Sequence, residues 1–144
     1  MNDMSPTNLN YVGISDYLLG LQNAVIGMIK WRHVVERVLR KCHSLLTYDW
    51  LVAAVLRGEF TFLENGRAFM FIKTEQMPLG SRVLIYAAGG DMDAVVELQE
   101  KVEAFAKENG VRQIAAMVRP GFRKWPKQEG WFDTRQLWIM KELQ

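Results

Sequence analysis

Gly89-Gly90-Asp91-Met92-Asp93 stands directly before a segment with helical apolar spacing. Paired glycines at such a place let the backbone come close to a bound group, and the first N–H groups of the following helix point at it. With the positive end of the helix dipole added, that is anion-binding chemistry. Asp91 is also a good N-cap, and a carboxylate in that role stabilises its own helix by about 0.5 to 2 kcal/mol. The same carboxylate competes with an incoming anion.

Proton transfer needs other groups. Glu59, Glu64 and Glu75 fall in or near expected strands and could act as a base, while Tyr86 could act as an acid. The plainer readings are solvated strand faces for the glutamates and core packing for Tyr86. His33 and His43 have no partner at metal-ligand spacing, and no Ser-His-Asp, Cys-His or zinc pattern is present. The single cysteine, Cys42, excludes an intramolecular disulfide, suits a reducing compartment, and is expected as a small buried apolar side chain.

A third cluster interleaves aromatic and basic residues between Arg119 and Arg135. Arg119, Phe122, Arg123, Trp125 and Trp131 are the expected partner contacts, gripping carboxylates or a phosphate backbone. The structural alternative is that the aromatics close the core while Arg and Lys face water. Nucleic acid has little further support, because 18 basic against 16 acidic residues leave a net charge of only +2.

The elements that position these residues follow from periodicity. Residues 1–15 read as a flexible arm and 16–144 as a single domain; Met1 to Asn10 lacks the basic start and apolar run of a secretory signal, and no stretch is long enough to span a membrane. Asp16 to His43 reads as helix with a break near Gly20 to Gly27. Its first part carries Tyr17, Leu18, Leu21, Val25 and Met28 as a docking stripe. Thr47 caps a short second helix that Gly58 stops. Strands follow at Glu59 to Leu63 and Arg67 to Lys73 around an Asn65-Gly66 type I′ turn, then at Arg82 to Ala88 after the Met77-Pro78-Leu79-Gly80 reversal.

Asp91 opens a helix with Val95, Leu98, Val102, Phe105 and Ala106 on its buried side, and Gly110 ends it. Val111 to Val118 should then run parallel to the Arg82 strand through a right-handed crossover, and Arg135 to Glu142 should close the sheet edge. The expected fold class is α/β (α+β): N-terminal helices, then a mixed central sheet in which an antiparallel hairpin and strand lead into a β-α-β crossover.

This order resembles the core of the GNAT superfamily of acyl-CoA N-acyltransferases. The ending is similar too, with Gly130-Trp131-Phe132 and then Leu137 to Leu143 closing on Lys-Glu-Leu. More narrowly, Gly89 to Asp93, Glu103 to Gly110 and Arg119-Pro120-Gly121-Phe122 resemble small GNAT-like proteins encoded among head and tail structural genes of tailed bacteriophages. The family holds acetyl-CoA by its pyrophosphate in a loop of the type Gln/Arg-x-x-Gly-x-Gly/Ala. The resemblance puts that loop at Ala87 to Ala94, with Gly89, Gly90 and Asp91 as the cofactor-binding positions. The basic first residue is absent, and Asp91 would repel a diphosphate by on the order of several kcal/mol at an effective dielectric near 20.

The expectation is therefore a non-catalytic GNAT-like phage protein with no cofactor, no metal and no catalytic residue. It would act by binding other phage structural proteins or itself, as an internal or head-tail virion component or an assembly factor, in the virion or host cytoplasm. The alternative is an acyl-CoA-dependent N-acetyltransferase that uses acetyl-CoA through a variant loop.

Overall fold

Apolar residues at helical spacing wind the N-terminal segment into α1 (Tyr11–Lys41) in the computed structural model, which describes residues 11–42, 44–116, 131 and 140–143. The helix starts inside the expected arm and runs unbroken through Gly20 and Gly27, where the sequence predicts a break. An interior glycine costs a helix up to about 1 kcal/mol. At Gly27 the packing offsets that cost: a Cβ there would lie 2.8 Å from the Phe62 ring, so the glycine lets α1 lie close to the sheet. Met28 and Val35, farther along the same side, are fully buried. Cys42, just past the helix end, is exposed and not the buried side chain expected of it.

Thr47 caps α2 (Tyr48–Leu56) as its residue type predicts, its Oγ1 accepting the Trp50 N–H at 3.1 Å. Gly58 takes the left-handed φ of 83° that ends the segment.

Four strands follow: β1 (Thr61–Glu64), β2 (Ala68–Met77), β3 (Gly80–Gly90) and, after α3 (Met92–Glu108), β4 (Gln113–Ala116). They lie in the order β1-β2-β3-β4, antiparallel except for the parallel β3–β4 pair, so the expected mixed sheet and crossover hold. The Pro78-Leu79 turn joins Met77 directly to Gly80. The Asn65-Gly66 turn is longer than a two-residue type I′ loop, because Glu64 pairs with Phe69. The Asn65 carboxamide oxygen closes it by accepting N–H bonds from Arg67 at 3.2 Å and Ala68 at 2.9 Å.

Side chains alternate along β2, so Phe69 and Phe71 meet α1 and α2 while Ala68, Met70 and Ile72 meet α3. On α3, Val95, Leu98, Val102 and Ala106 are buried as expected, but Phe105 is half exposed and Gln99 is fully buried. In β3 the alternation breaks. Ile72 pairs with Ile85 and Phe71 with Ala87, which leaves Tyr86 as an extra residue in a β-bulge. Val83 and Ile85 therefore face α3, whereas Tyr86 and Ala87 both pack on the α1 and α2 side. Of the expected closing strand only Met140 to Glu142 is described, and these residues carry no regular structure.

Candidate functional site

The bulge lies where the described β4 stops, since β3 pairs with β4 over Arg82 to Ile85. From Tyr86 onward β3 runs along β2 and passes straight into α3. Gly89 and Gly90, expected in a loop, are strand residues opposite Phe69 and Ala68. Cross-strand contact explains both. A Cβ on Gly89 would sit 2.8 Å from Phe69 Cε1, and one on Gly90, at φ 112°, would sit 2.3 Å from the Arg67 carbonyl oxygen and 2.6 Å from Ala68 Cα.

Asp91 occupies the N-cap position of α3, with φ −70° and ψ 135°, yet its side chain makes no capping hydrogen bond. Its carboxylate turns instead to Arg67, whose Nε donates to Oδ2 at 3.3 Å. The Asp91 N–H donates to the Arg67 carbonyl at 3.0 Å, and Asn65 Nδ2 donates to the Ala94 carbonyl at 3.0 Å. The β1–β2 turn is thus fastened across the first turn of α3.

This changes the electrostatics read from the sequence. Asp91 and Asp93 bring negative charge to the helix start, but Arg67 brings a guanidinium that offsets the first of them. Arg67 stands 24 residues from Asp91 in the chain, too far for any local pattern to pair them. Once β2 and β3 are read as an antiparallel pair of nearly equal length, the register brings the turn before Ala68 to the end of β3.

The candidate bases are committed elsewhere. Arg57 donates to both carboxylate oxygens of Glu59, at 3.1 and 3.2 Å, and these hydrogen bonds hold the Glu59 carboxyl below the usual range, which weakens it as a base. Glu75 accepts from its cross-strand neighbour Arg82 at 2.7 Å. Glu64 accepts from Trp31 Nε1 at 3.1 Å and lies 3.7 Å from Lys30 Nζ. Tyr86 packs edge-on to Phe60, with ring centroids 5.6 Å apart, against the α1 and α2 side of the core.

Among the described residues no group of three or more His, Cys, Asp or Glu could hold a metal ion, and no helix is long and apolar enough to cross a membrane. His33 is exposed on α1, and His43 lies outside the described residues. Of the expected partner contacts, Arg119, Phe122, Arg123 and Trp125 also lie outside them. Trp131 is half-buried and packs against the α3 side of the core.

Solved structures share this arrangement. A probable acetyltransferase aligns with a TM-score of 0.61 over 80% of this chain and 93% of its own, at 11% identity. A predicted acetyltransferase from Clostridium acetobutylicum, solved with acetyl-CoA, aligns with a TM-score of 0.55 over 84% of this chain and 91% of its own, at 13% identity. The fold is acetyltransferase-like. The tetramutant of the BH1408 protein from Bacillus halodurans shares it with a TM-score of 0.59 at 16% identity, over 79% of this chain and 96% of that one. No protein-family model matches the chain, and no curated protein matches it by sequence. At these identities the acetyltransferase-like fold is a statement about chain path, and it bears out the arrangement read from element order.

Proposed function

We propose that the chain binds an acyl-coenzyme A, acetyl-CoA in the first instance, along the end of β3 with the diphosphate at the start of α3. One observation carries this reading: Arg67 draws the Asp91 carboxylate aside, so among the described residues the first turn of α3 has no side-chain cap and a guanidinium stands beside it. Uncapped N–H groups, the helix dipole and a fixed cation together suit a diphosphate. The residues that would hold it are Arg67 and the backbone after Gly90. The acetyl-CoA in the Clostridium acetobutylicum structure supports the ligand class.

A bound acyl-CoA supplies an activated thioester, and transfer to an amine also needs a base. Glu59, Glu64 and Glu75 are each paired with a cation, so these three candidate bases favour binding over turnover. Those pairings also favour a second reading in which the fold works without cofactor, by contact with other proteins. Its particular form, a phage virion component or assembly factor, rests on the resemblance of the Gly89, Glu103 and Arg119 segments alone.

A thermal shift assay separates the two. Acetyl-CoA at ten times its Kd stabilises by about 1.4 kcal/mol, which raises Tm by about 4 °C for a chain of this size. The rise should shrink in Arg67→Ala. A flat response to millimolar acetyl-CoA in the wild-type chain sinks the cofactor reading and leaves the second.

A further inference from the structure

The first half of α1 continues past the sheet. Tyr17, Met28 and Val35 lie within about 20° of one another around the helix, yet Met28 and Val35 are fully buried while Tyr17 is 56% exposed. Leu18 and Ile29 beside this stripe are 58% and 64% exposed. With the half-buried Leu21 they form an apolar face about 20 Å long, from Tyr17 to Ile29, whose exposed members no described residue covers; Val25, between them, packs its inner edge on the core. A helical extension of this kind draws its stability from packing, not from propensity.

We propose that this face joins two copies of the chain, with their α1 helices antiparallel and crossing at Leu21. Charge selects the occupant. Between Tyr11 and Ile29 the one charged side chain is Asp16, so a charged partner finds no counterpart and the covering surface must itself be neutral and apolar. Among the described residues, Leu19 and Ile26 are exposed on the far side of α1, and the other exposed large apolar side chains, such as Leu45, Leu79, Met92 and Phe105, are scattered over separate elements. A second α1 is the one described surface that meets the requirement.

Charge also selects the direction. A parallel pair would set Lys30, Arg32, Arg37 and Arg40 of one copy abreast of the same residues in the other. The antiparallel pair separates them and sets Tyr17 opposite Val25, with Leu21 on the two-fold axis. The two Asp16 carboxylates then lie about 15 Å apart along the helices, beyond the screening length of about 8 Å at physiological salt. The contact buries on the order of 1,000 Å² over both copies, the lower limit for a specific interface. A dissociable dimer follows.

Sedimentation velocity across a concentration series tests it. The wild-type chain should shift from chain mass towards twice chain mass in the micromolar range. Leu18→Glu should raise the dissociation constant at least tenfold while its circular dichroism stays wild-type, and Leu79→Glu, in the exposed β2–β3 turn, should change nothing. Leu21→Cys in a Cys42→Ser background should cross-link under mild oxidation. Chain mass at every concentration overturns the proposal, as does a dimer indifferent to Leu18→Glu or capture of the chain by neutral phosphatidylcholine vesicles. None of these readouts involves acetyl-CoA, so the proposal stands or falls apart from the cofactor reading.

Discussion

Arg67 holds Asp91 twice: its carbonyl oxygen accepts the Asp91 N–H at 3.0 Å, and its guanidinium reaches the Asp91 carboxylate at 3.3 Å. The two bonds do different work. The backbone bond joins the hairpin turn to the start of α3 whatever side chains are present, while the ion pair is exposed and worth at most about 1 kcal/mol. Arg67→Ala should therefore cost less than about 1 kcal/mol in urea denaturation. Its larger effect should be on acetyl-CoA, with several-fold weaker binding by titration calorimetry, and Asp91→Asn should bind several-fold tighter because one repelling charge is gone.

Gly66 and Gly90 both have positive φ, 87° and 112°, but their surroundings differ. Around Gly66 a Cβ would meet nothing within 4 Å among the described residues, whereas at Gly90 it would meet the Arg67 carbonyl at 2.3 Å. Gly66→Ala should cost only the backbone conformational penalty, about 1 to 2 kcal/mol. Gly90→Ala must also part β2 from β3 and should cost about 4 kcal/mol or more. Equal losses of stability in denaturant titrations would show that the close approach at Gly90 is not what requires glycine.

Gln99 is fully buried on α3, and its Oε1 has no hydrogen-bond partner among the described residues, although its Nε2 donates to Glu103 at 2.9 Å. An unpaired buried acceptor costs about 1 to 3 kcal/mol, more than one partly exposed hydrogen bond returns. Gln99→Met, similar in shape and apolar, should raise Tm by a few degrees. A fall in Tm would mean that Oε1 has a partner outside the described residues.

Glu59 carries the pH dependence that the structure makes explicit. Hydrogen bonds from Arg57 lower its folded pKa, so the contribution is present above the unfolded value of about 4.3. It fades as pH falls through the lower folded value. Because the pair is exposed the contribution is small. Glu59→Gln should lower Tm slightly at pH 7 and not at all near pH 2; a difference that persists in acid would assign the effect to something other than the ion pair.

Periodicity and turn chemistry alone determined the succession of elements. The Asn65-Gly66 turn marked the β1–β2 hairpin, the three- and four-residue apolar steps marked α1 and α3, Thr47 and Gly58 bounded α2, and a strand-helix-strand run required the parallel β3–β4 pair. All of these are short-range constraints, written within one turn or one strand. Contacts between distant segments decided the rest: Phe62 lying against Gly27 kept α1 whole, Ala68 facing Gly90 placed the glycine pair in a strand, and the bulge at Tyr86 turned β3 over. The same register carried Arg67 to Asp91 and added a cation to the site, because charge acts through space and the repulsion inferred from Asp91 alone left out a guanidinium delivered from across the sheet.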